Sequence, residues 1–172
     1  CGVKIVEEIQ ALSPCPIKIH IAIAPTKNMD RIEWFAEKCT EIGINAITLL
    51  RCRFSERKEV KTERIEKILV SAMKQSIKAT LPQLNGMTFK EFVTRPFEGQ
   101  KFIAHCYEKS DKILLKQRYI PGNNALILIG PEGDFSPEEV ELAIENGFLP
   151  ISLGNSRLRT ETSLLYTSPS PR

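Results

Sequence analysis

The sequence predicts an α/β fold in which helices cover both faces of a mainly parallel sheet. Strand-like and helix-like hydrophobic patterns alternate five times along the 172 residues, as they do in layered α/β domains. Residues 124–129 form a continuous apolar run, typical of a central strand with both faces covered. No apolar run approaches the roughly 20 residues that a membrane-spanning helix needs. We therefore expect one globular domain that does not enter a membrane.

The first strand and helix have clear boundaries. Residues 17–24 place an isoleucine at every second position, which predicts a strand that stops at Pro25. A helical stripe of apolar residues then runs over residues 28–42. Gly43 follows it, at the position where helices commonly end in a left-handed conformation.

The middle of the chain repeats the alternation. Residues 46–50 are predicted to form the second strand, and Thr62 begins a helix with a regular apolar stripe. Thr88 and Glu91 have the spacing of a capping box and predict a short helix. Residues 101–105 are predicted to form the third strand.

The last elements surround the apolar run. Residues 110–119 have a weaker helical pattern, and residues 124–129 are predicted to form the central strand. Residues 136–139 supply an N-cap serine, a proline at the first helical position and a glutamate at the third. That helix should end before Gly147, and residues 151–153 form the last predicted strand.

Composition limits the class of protein without naming a partner. The net charge of +3, from 24 basic and 21 acidic residues, is too small to identify a ligand. Five cysteines without a CxxC pair indicate reduced thiols rather than a disulfide framework or a zinc site, so no metal is expected. The N-terminal residues have no export pattern, which makes the cytoplasm the expected compartment.

Residues 51–64 carry six basic and three acidic side chains, so the whole net charge could lie there. A basic loop that contains an aromatic residue, here Phe54, can bind phosphates and stack a base. Such a run is more often a solvated loop, and both interpretations stay open. The candidate RNA contacts are Arg51, Arg53, Arg57 and Lys58.

Ligands of open α/β sheets bind beyond the carboxyl ends of strands, so the loops after His105, Ile129 and Leu153 are the candidate site. Residues 130–134 contain two glycines that permit close approach of the backbone to a ligand. They match neither a Walker loop nor GxGxxG, and a plain connecting turn is the alternative. Residues 153–162 contain two arginines, a glycine and several hydroxyl groups, more than a turn requires, although part of this segment could simply cap a helix.

Together these two segments resemble the paired signature of the RsmE family, the 16S rRNA (uracil-N3) methyltransferases of the SPOUT superfamily. The signature consists of residues 129–133, 153–154 and 158–162. Shorter matches occur in the same order at residues 38–43, 55–57, 75–76 and 104–105. The likeness covers about residues 17–163.

The resemblance implies a C-terminal trefoil knot around bound S-adenosylmethionine. It also implies a homodimer that methylates RNA of the small ribosomal subunit. Arg159 would stabilise the uracil anion, and Glu132 would orient the loop, assist proton removal or lie near the sulfonium. The implied cofactor contacts are His105, Ile129, Gly130, Pro131, Glu132, Gly133, Leu153, Gly154, Leu158, Arg159 and Thr160. The alternatives are a non-catalytic RNA-binding or ribosome-assembly factor with this fold, and a SPOUT methyltransferase that acts on another RNA position.

The sequence departs from the family pattern at three places. Asp134 replaces the second glycine of the usual Gly-Pro-Glu-Gly-Gly, and residues 155–157 are unusual, so only Arg159 is a secure match of the two arginines. The family continues with an apolar helix that completes the knot, whereas residues 164–172 resemble a non-native tail, so the knot could be incomplete here. We interpret residues 1–16 as the remnant of an N-terminal PUA-like RNA-binding barrel or linker, and residues 17–163 as the methyltransferase domain.

Overall fold

The computed structural model describes residues 2, 4–7, 16–57, 60–107 and 113–154. Strands and helices alternate along this part of the chain. The strands are β1 (Ile19–Ile23), β2 (Ala46–Arg51), β3 (Gln83–Thr88), β4 (Gln100–Ala104), β5 (Ile113–Leu114), β6 (Ala125–Ile129) and β7 (Leu149–Ser152). The helices are α1 (Met29–Ile42), α2 (Thr62–Gln75), α3 (Phe89–Val93), α4 (Leu115–Arg118) and α5 (Pro137–Glu145).

The strands form one sheet in the order β3-β2-β1-β6-β4-β7-β5. Every pair of neighbours is parallel. Because all strands point the same way, their carboxyl ends meet at one edge of the sheet, where ligands of such folds bind. The predicted α/β fold with a parallel sheet is confirmed. The knot depends on residues after Gly154, which lie outside the described part of the chain.

Helices cover both faces of the sheet. On one face, α1 and α2 pack over a core that includes Phe35, Leu69 and Phe102. On the other face, α3 and α5 enclose a second core around Phe135 and Phe148. All five residues of β6 are buried, as its apolar sequence predicted.

The predicted helix ends are observed. The Asn28 side chain accepts a hydrogen bond from the Asp30 amide, and Gly43 ends α1 with a φ of 98°. Both predicted capping boxes form, one before α3 and the other before α5, where the Ser136 and Glu139 side chains bond each other's backbone amides. These local signals therefore reported the helix boundaries correctly.

The sequence was wrong or silent at two places. Residues 113–114 pair with β7 as a short strand, although the pattern predicted helix there, and the helix covers only residues 115–118. The earlier part of that prediction, residues 110–112, lies outside the described residues. The edge strand β3 was not predicted, because its sequence is largely polar and only β2 pairs with it.

His20 in β1 is a partly buried polar group with a structural role. Its Nε2 atom lies 2.8 Å from the Thr48 hydroxyl on β2, and its ring meets Phe92 edge to face. Burial lowers the pKa of His20 to about 4, since desolvation disfavours the charged ring. The neutral imidazole thus links two strands beneath α3.

Candidate functional site

Three strand exits lie side by side at the carboxyl edge of the sheet. Ala104 of β4 pairs with Ile129 of β6 on one side and with Ile151 of β7 on the other. His105 therefore leaves the sheet between the loop that starts at Gly130 and the end of β7. The structure thus brings together the three strand exits that the sequence selected, which follow β4, β6 and β7.

The loop after β6 is held tightly from within. A Cβ atom added to Gly130 would lie 3.1 Å from the Phe135 ring and 3.2 Å from the Phe135 amide nitrogen. Phe135 is completely buried, so its ring has little room to move away. The Asp134 amide donates to the Pro131 carbonyl at 2.9 Å, which closes the turn. Glycine therefore packs best at position 130, because a Cβ atom there would press on Phe135.

Asp134 adopts a backbone conformation that glycine accepts without strain. Its φ is 65°, in the left-handed region that few residues other than glycine, asparagine and aspartate adopt. The carboxylate accepts a hydrogen bond from the Cys106 amide at 2.7 Å and another from the Phe135 amide at 2.8 Å. This departure from the family pattern thus ties the loop after β6 to the exit of β4.

Tyr107 forms a second tie between the same two segments. Its hydroxyl donates to the Phe135 carbonyl at 2.6 Å, and its ring lies 5.7 Å from the buried His105 ring, between centroids. Desolvation, together with the nearby Asp134 and Glu138 carboxylates, raises the pKa of Tyr107. The phenol therefore stays protonated and able to donate near neutral pH.

Glu132 points toward the loop between β1 and α1. Its carboxylate accepts a hydrogen bond from the Lys27 amide at 3.3 Å and lies 4.0 Å from an Arg31 guanidinium nitrogen. Arg57 Nε in turn donates to the Lys27 carbonyl at 3.0 Å. Sequence reasoning missed Lys27, Arg31 and Tyr107, because no local pattern around them reports contacts with a distant segment.

The end of β7 is fixed by local hydrogen bonds. The Ser152 hydroxyl donates to the Gly154 carbonyl at 2.9 Å and accepts from its amide at 3.3 Å. A Cβ atom on Gly154 would meet no described atom within 4 Å. The predicted contacts Leu158, Arg159 and Thr160 lie outside the described residues.

The candidate RNA contacts differ in their surroundings. Arg51 is exposed at the end of β2. Arg53 forms an exposed ion pair with Glu138 at 3.1 Å, and its amide donates to Glu139 at 2.8 Å. Its guanidinium also lies 5.8 Å from the centre of the Phe54 ring, which is 46% exposed. Lys58 lies outside the described residues.

Within the described part of the chain, no helix is both long enough and apolar enough to span a bilayer. The same residues contain no group of three or more His, Cys, Asp or Glu side chains arranged to hold a metal ion.

The arrangement at this sheet edge can be compared with known proteins. A family model described as an RNA methyltransferase domain matches residues 13–169. This chain belongs to that family. The sequence-based resemblance is thereby confirmed, and the parallel α/β sheet is the fold of the family's solved structures.

Individual relatives point the same way. The Bacillus subtilis protein named ribosomal RNA small subunit methyltransferase E is 31% identical over 165 residues, which are 88% of this chain and 64% of that protein. A structure described as a probable rRNA-methyltransferase from Porphyromonas gingivalis is 44% identical, with a TM-score of 0.85 over 91% of this chain and 67% of its own. Ribosomal RNA small subunit methyltransferase E from Neisseria gonorrhoeae, solved bound to S-adenosyl methionine, is 29% identical, with a TM-score of 0.71 over 86% of this chain and 62% of its own.

The matched region is only part of these family members. The chain spans 64%, 54% and 63% of the length of three curated relatives, from Bacillus subtilis, Synechocystis and Buchnera aphidicola. Activity, substrate and partners of the whole protein are therefore matters for proposal.

Proposed function

We propose that this chain is the catalytic domain of an enzyme that transfers a methyl group from S-adenosylmethionine to N3 of a uridine in 16S ribosomal RNA. The observation that carries the proposal is the meeting of the exits of β4, β6 and β7 at one edge of the sheet. The names of the relatives support ribosomal RNA of the small subunit as the substrate. The uracil N3 position follows from the motif resemblance.

The described residues fit S-adenosylmethionine. The end of β7 at Gly154 and the loop at Gly130 offer backbone groups to a ligand between them, and no described atom would lie within 4 Å of a Cβ on Gly154. The cofactor supplies a methyl group that its sulfonium already activates. The residues proposed to hold it are His105, Ile129, Gly130, Pro131, Glu132, Gly133, Leu153, Gly154, Leu158, Arg159 and Thr160.

The chain has to stabilise negative charge on the substrate. Uracil N3 is a weakly acidic imide, and its methylation requires loss of a proton and a stabilised anion. An arginine beside the uracil oxygens provides that stabilisation without changing its own protonation state. Arg159 is the proposed catalytic residue, since it is the arginine that matches the family motif.

Glu132 is proposed to orient the loop rather than to remove the proton. One carboxylate oxygen accepts a hydrogen bond from the Lys27 amide between β1 and α1, and the other lies 4.0 Å from Arg31 in the first turn of α1. The carboxylate is thus held against the start of α1. Of the three roles that the sequence left open, this geometry favours the first.

The basic loop after β2 is proposed to contact RNA phosphates through Arg51, Arg53, Arg57 and Lys58. We also propose that residues 17–163 form the methyltransferase domain and that the protein works as a cytoplasmic homodimer. Small-subunit RNA is an acidic partner, so weaker binding at higher salt is expected. Sedimentation of the purified protein tests the dimer directly.

The proposed activity is tested by incubating protein that contains this chain with S-adenosylmethionine and small-subunit RNA, then mapping the modified nucleotide. N3-methyluridine at one position is the expected product. Methylation elsewhere would indicate a different SPOUT specificity, and cofactor binding without turnover would favour a non-catalytic assembly factor.

Arg159→Ala should slow methyl transfer about 100-fold or more while cofactor affinity changes only a few-fold. Equal losses in both would make Arg159 a cofactor ligand, and Arg64→Ala, which alters an exposed pair with Glu33, is the matched control.

A further inference from the structure

A second concavity lies at the same edge of the sheet, beyond β1 on the side away from the cofactor loop. Its volume is about 290 Å³, and it opens over the carboxyl ends of β1, β2 and β3. The residues that line it include Pro25, Leu49, Arg51, Arg57, Val60 and Gly86. Its walls are thus mainly apolar, with two guanidinium groups.

Gly86 contributes to the space in this cavity. It lies in the edge strand β3, directly beside Leu49 of β2. A Cβ atom built on Gly86 would meet nothing within 4 Å, and its backbone conformation is one that other residues adopt. Glycine weakens a strand interior, and its presence often marks the close approach of a ligand. Here the missing side chain leaves room in the cavity.

The charged side chains at the cavity are arginines that form few hydrogen bonds or ion pairs with described residues. Arg51 forms no hydrogen bond or ion pair with any described residue. Hydrogen bonds with Thr88 are the main cause of the lowered pKa of the nearby Glu91 carboxyl, and the charge of Arg51 makes a smaller contribution. Among the described residues, Arg57 forms its hydrogen bond through Nε alone, to the Lys27 carbonyl. The described residues that line the cavity include no carboxylate. By contrast, Arg53 and Arg64 each face a glutamate.

We propose that this cavity binds one unstacked nucleotide of the substrate RNA, with its phosphate between Arg51 and Arg57 and its base on the apolar wall. The volume is close to the lower end of small-molecule sites, about 300 Å³, and suits a single nucleotide. Guanidinium pairs bind phosphate, and unstacked bases rest on apolar or aromatic surfaces. The inference rests on the proposed function, because it assumes that the substrate is RNA.

The position of the cavity connects it with the cofactor loop. Arg57 donates to the Lys27 carbonyl, and the Lys27 amide donates to the Glu132 carboxylate. A nucleotide held by Arg57 would therefore contact the segment that positions Glu132. This gives the cavity a second role, in which correct seating of the RNA strand supports the loop beside the cofactor.

The test uses the isotope-labelled chain titrated with each of the four nucleoside 5′-monophosphates and, separately, with inorganic phosphate. We expect amide shifts at Gly86 and Thr62, and weaker binding of phosphate alone. Gly86→Val fills the cavity without removing a charge and should weaken nucleotide binding about tenfold, as should Arg51→Ala. Arg64→Ala is the matched charge control and should bind within about twofold of wild type. Equal affinity for inorganic phosphate, or no shifts with nucleotides, would overturn the proposal.

Methyl transfer separates this inference from the proposed function. In Gly86→Val, we expect the KM for small-subunit RNA to rise about tenfold, with unchanged affinity for S-adenosylmethionine. An unchanged KM would overturn the nucleotide cavity and leave the methyltransferase intact. Nucleotide binding at Gly86 without methyl transfer by the wild type would instead overturn the enzyme assignment and leave the cavity.

Discussion

The loop after β6 and the loop after β2 lie at the same edge of the sheet but are held by different kinds of contact. Residues 130–136 are fixed through backbone groups, which bond Asp134, Tyr107 and each other. Residues 51–57 are largely exposed, and at the surface Arg53 meets a carboxylate and Arg57 a carbonyl. One loop keeps its shape, whereas the other offers charge.

This difference fits the two tasks proposed for the loops. A cofactor that must place its methyl group in line with N3 needs a rigid support, since a small misplacement slows the reaction strongly. Exposed ion pairs contribute only about 0–1 kcal/mol, so arginines after β2 can exchange a carboxylate for a phosphate at low cost.

The largest loss of stability is expected from Asp134→Ala. This change removes the hydrogen bonds to the Cys106 and Phe135 amides and leaves alanine at a φ of 65°. We expect the free energy of unfolding to fall by about 2–3 kcal/mol, measured by urea denaturation. Cofactor affinity, measured by calorimetry, should also fall.

Asp134→Gly separates the two causes. Glycine accepts the left-handed conformation without strain, so only the carboxylate bonds are lost and the expected cost is about 1–2 kcal/mol. Equal losses in the two variants would show that the φ of residue 134 contributes nothing. A neutral effect of both would mean that the tie to Cys106 does not stabilise the loop.

Gly130→Ala should destabilise the protein by about 1–2 kcal/mol, because the added methyl group presses on the buried Phe135. Gly133→Ala is the matched control within the same loop, as its Cβ would lie 3.4 Å from Phe54, an ordinary contact distance. Its free energy of unfolding should change by no more than about 0.5 kcal/mol. Thermal or urea unfolding of both variants measures the difference, and equal losses would contradict the packing explanation.

The sequence predicted those parts of the fold whose signals are local. Burial on both faces gives β6 an unmistakable apolar run, and helix caps such as Thr88 and Ser136 act within three residues. The edge strand β3 has no such signal, because only one neighbour pairs with it and its side chains are partly exposed. Residues 113–114 adopt strand structure through pairing with β7, about forty residues further along, which a local pattern does not report.

The same distinction applies to the candidate site. The glycines of the loop after β6 marked it as a candidate site in the sequence, since glycine is typical of close packing and tight turns. The partners of Glu132 are not, because Lys27 lies 105 residues away and becomes a neighbour only when β1 pairs with β6. The sequence identified Asp134 as a departure from the family pattern but did not predict its conformation. Its carboxylate is held partly by the Cys106 amide at the exit of β4, which is distant in sequence.

A moderate effect is expected from Glu132→Gln. Glutamine can still accept from the Lys27 amide, but it loses the charge that faces Arg31 at 4.0 Å. If Glu132 orients the loop, methyl transfer should slow only a few-fold, an effect of about 1 kcal/mol. A loss of about 100-fold or more, with unchanged cofactor affinity, would instead make it the general base. Single-turnover rates with saturating cofactor distinguish the two.

The smallest effect is expected from Arg53→Ala. Its exposed pair with Glu138 should contribute less than about 0.5 kcal/mol to the free energy of unfolding. RNA binding should also weaken less than in Arg51→Ala, because Arg53 must leave Glu138 before it can bind a phosphate, whereas Arg51 has no described ion-pair partner. Filter binding at several salt concentrations measures both affinities and the salt slope. A larger loss of RNA affinity for Arg53→Ala than for Arg51→Ala would show that the ion pair with Glu138 does not determine which arginine binds the RNA.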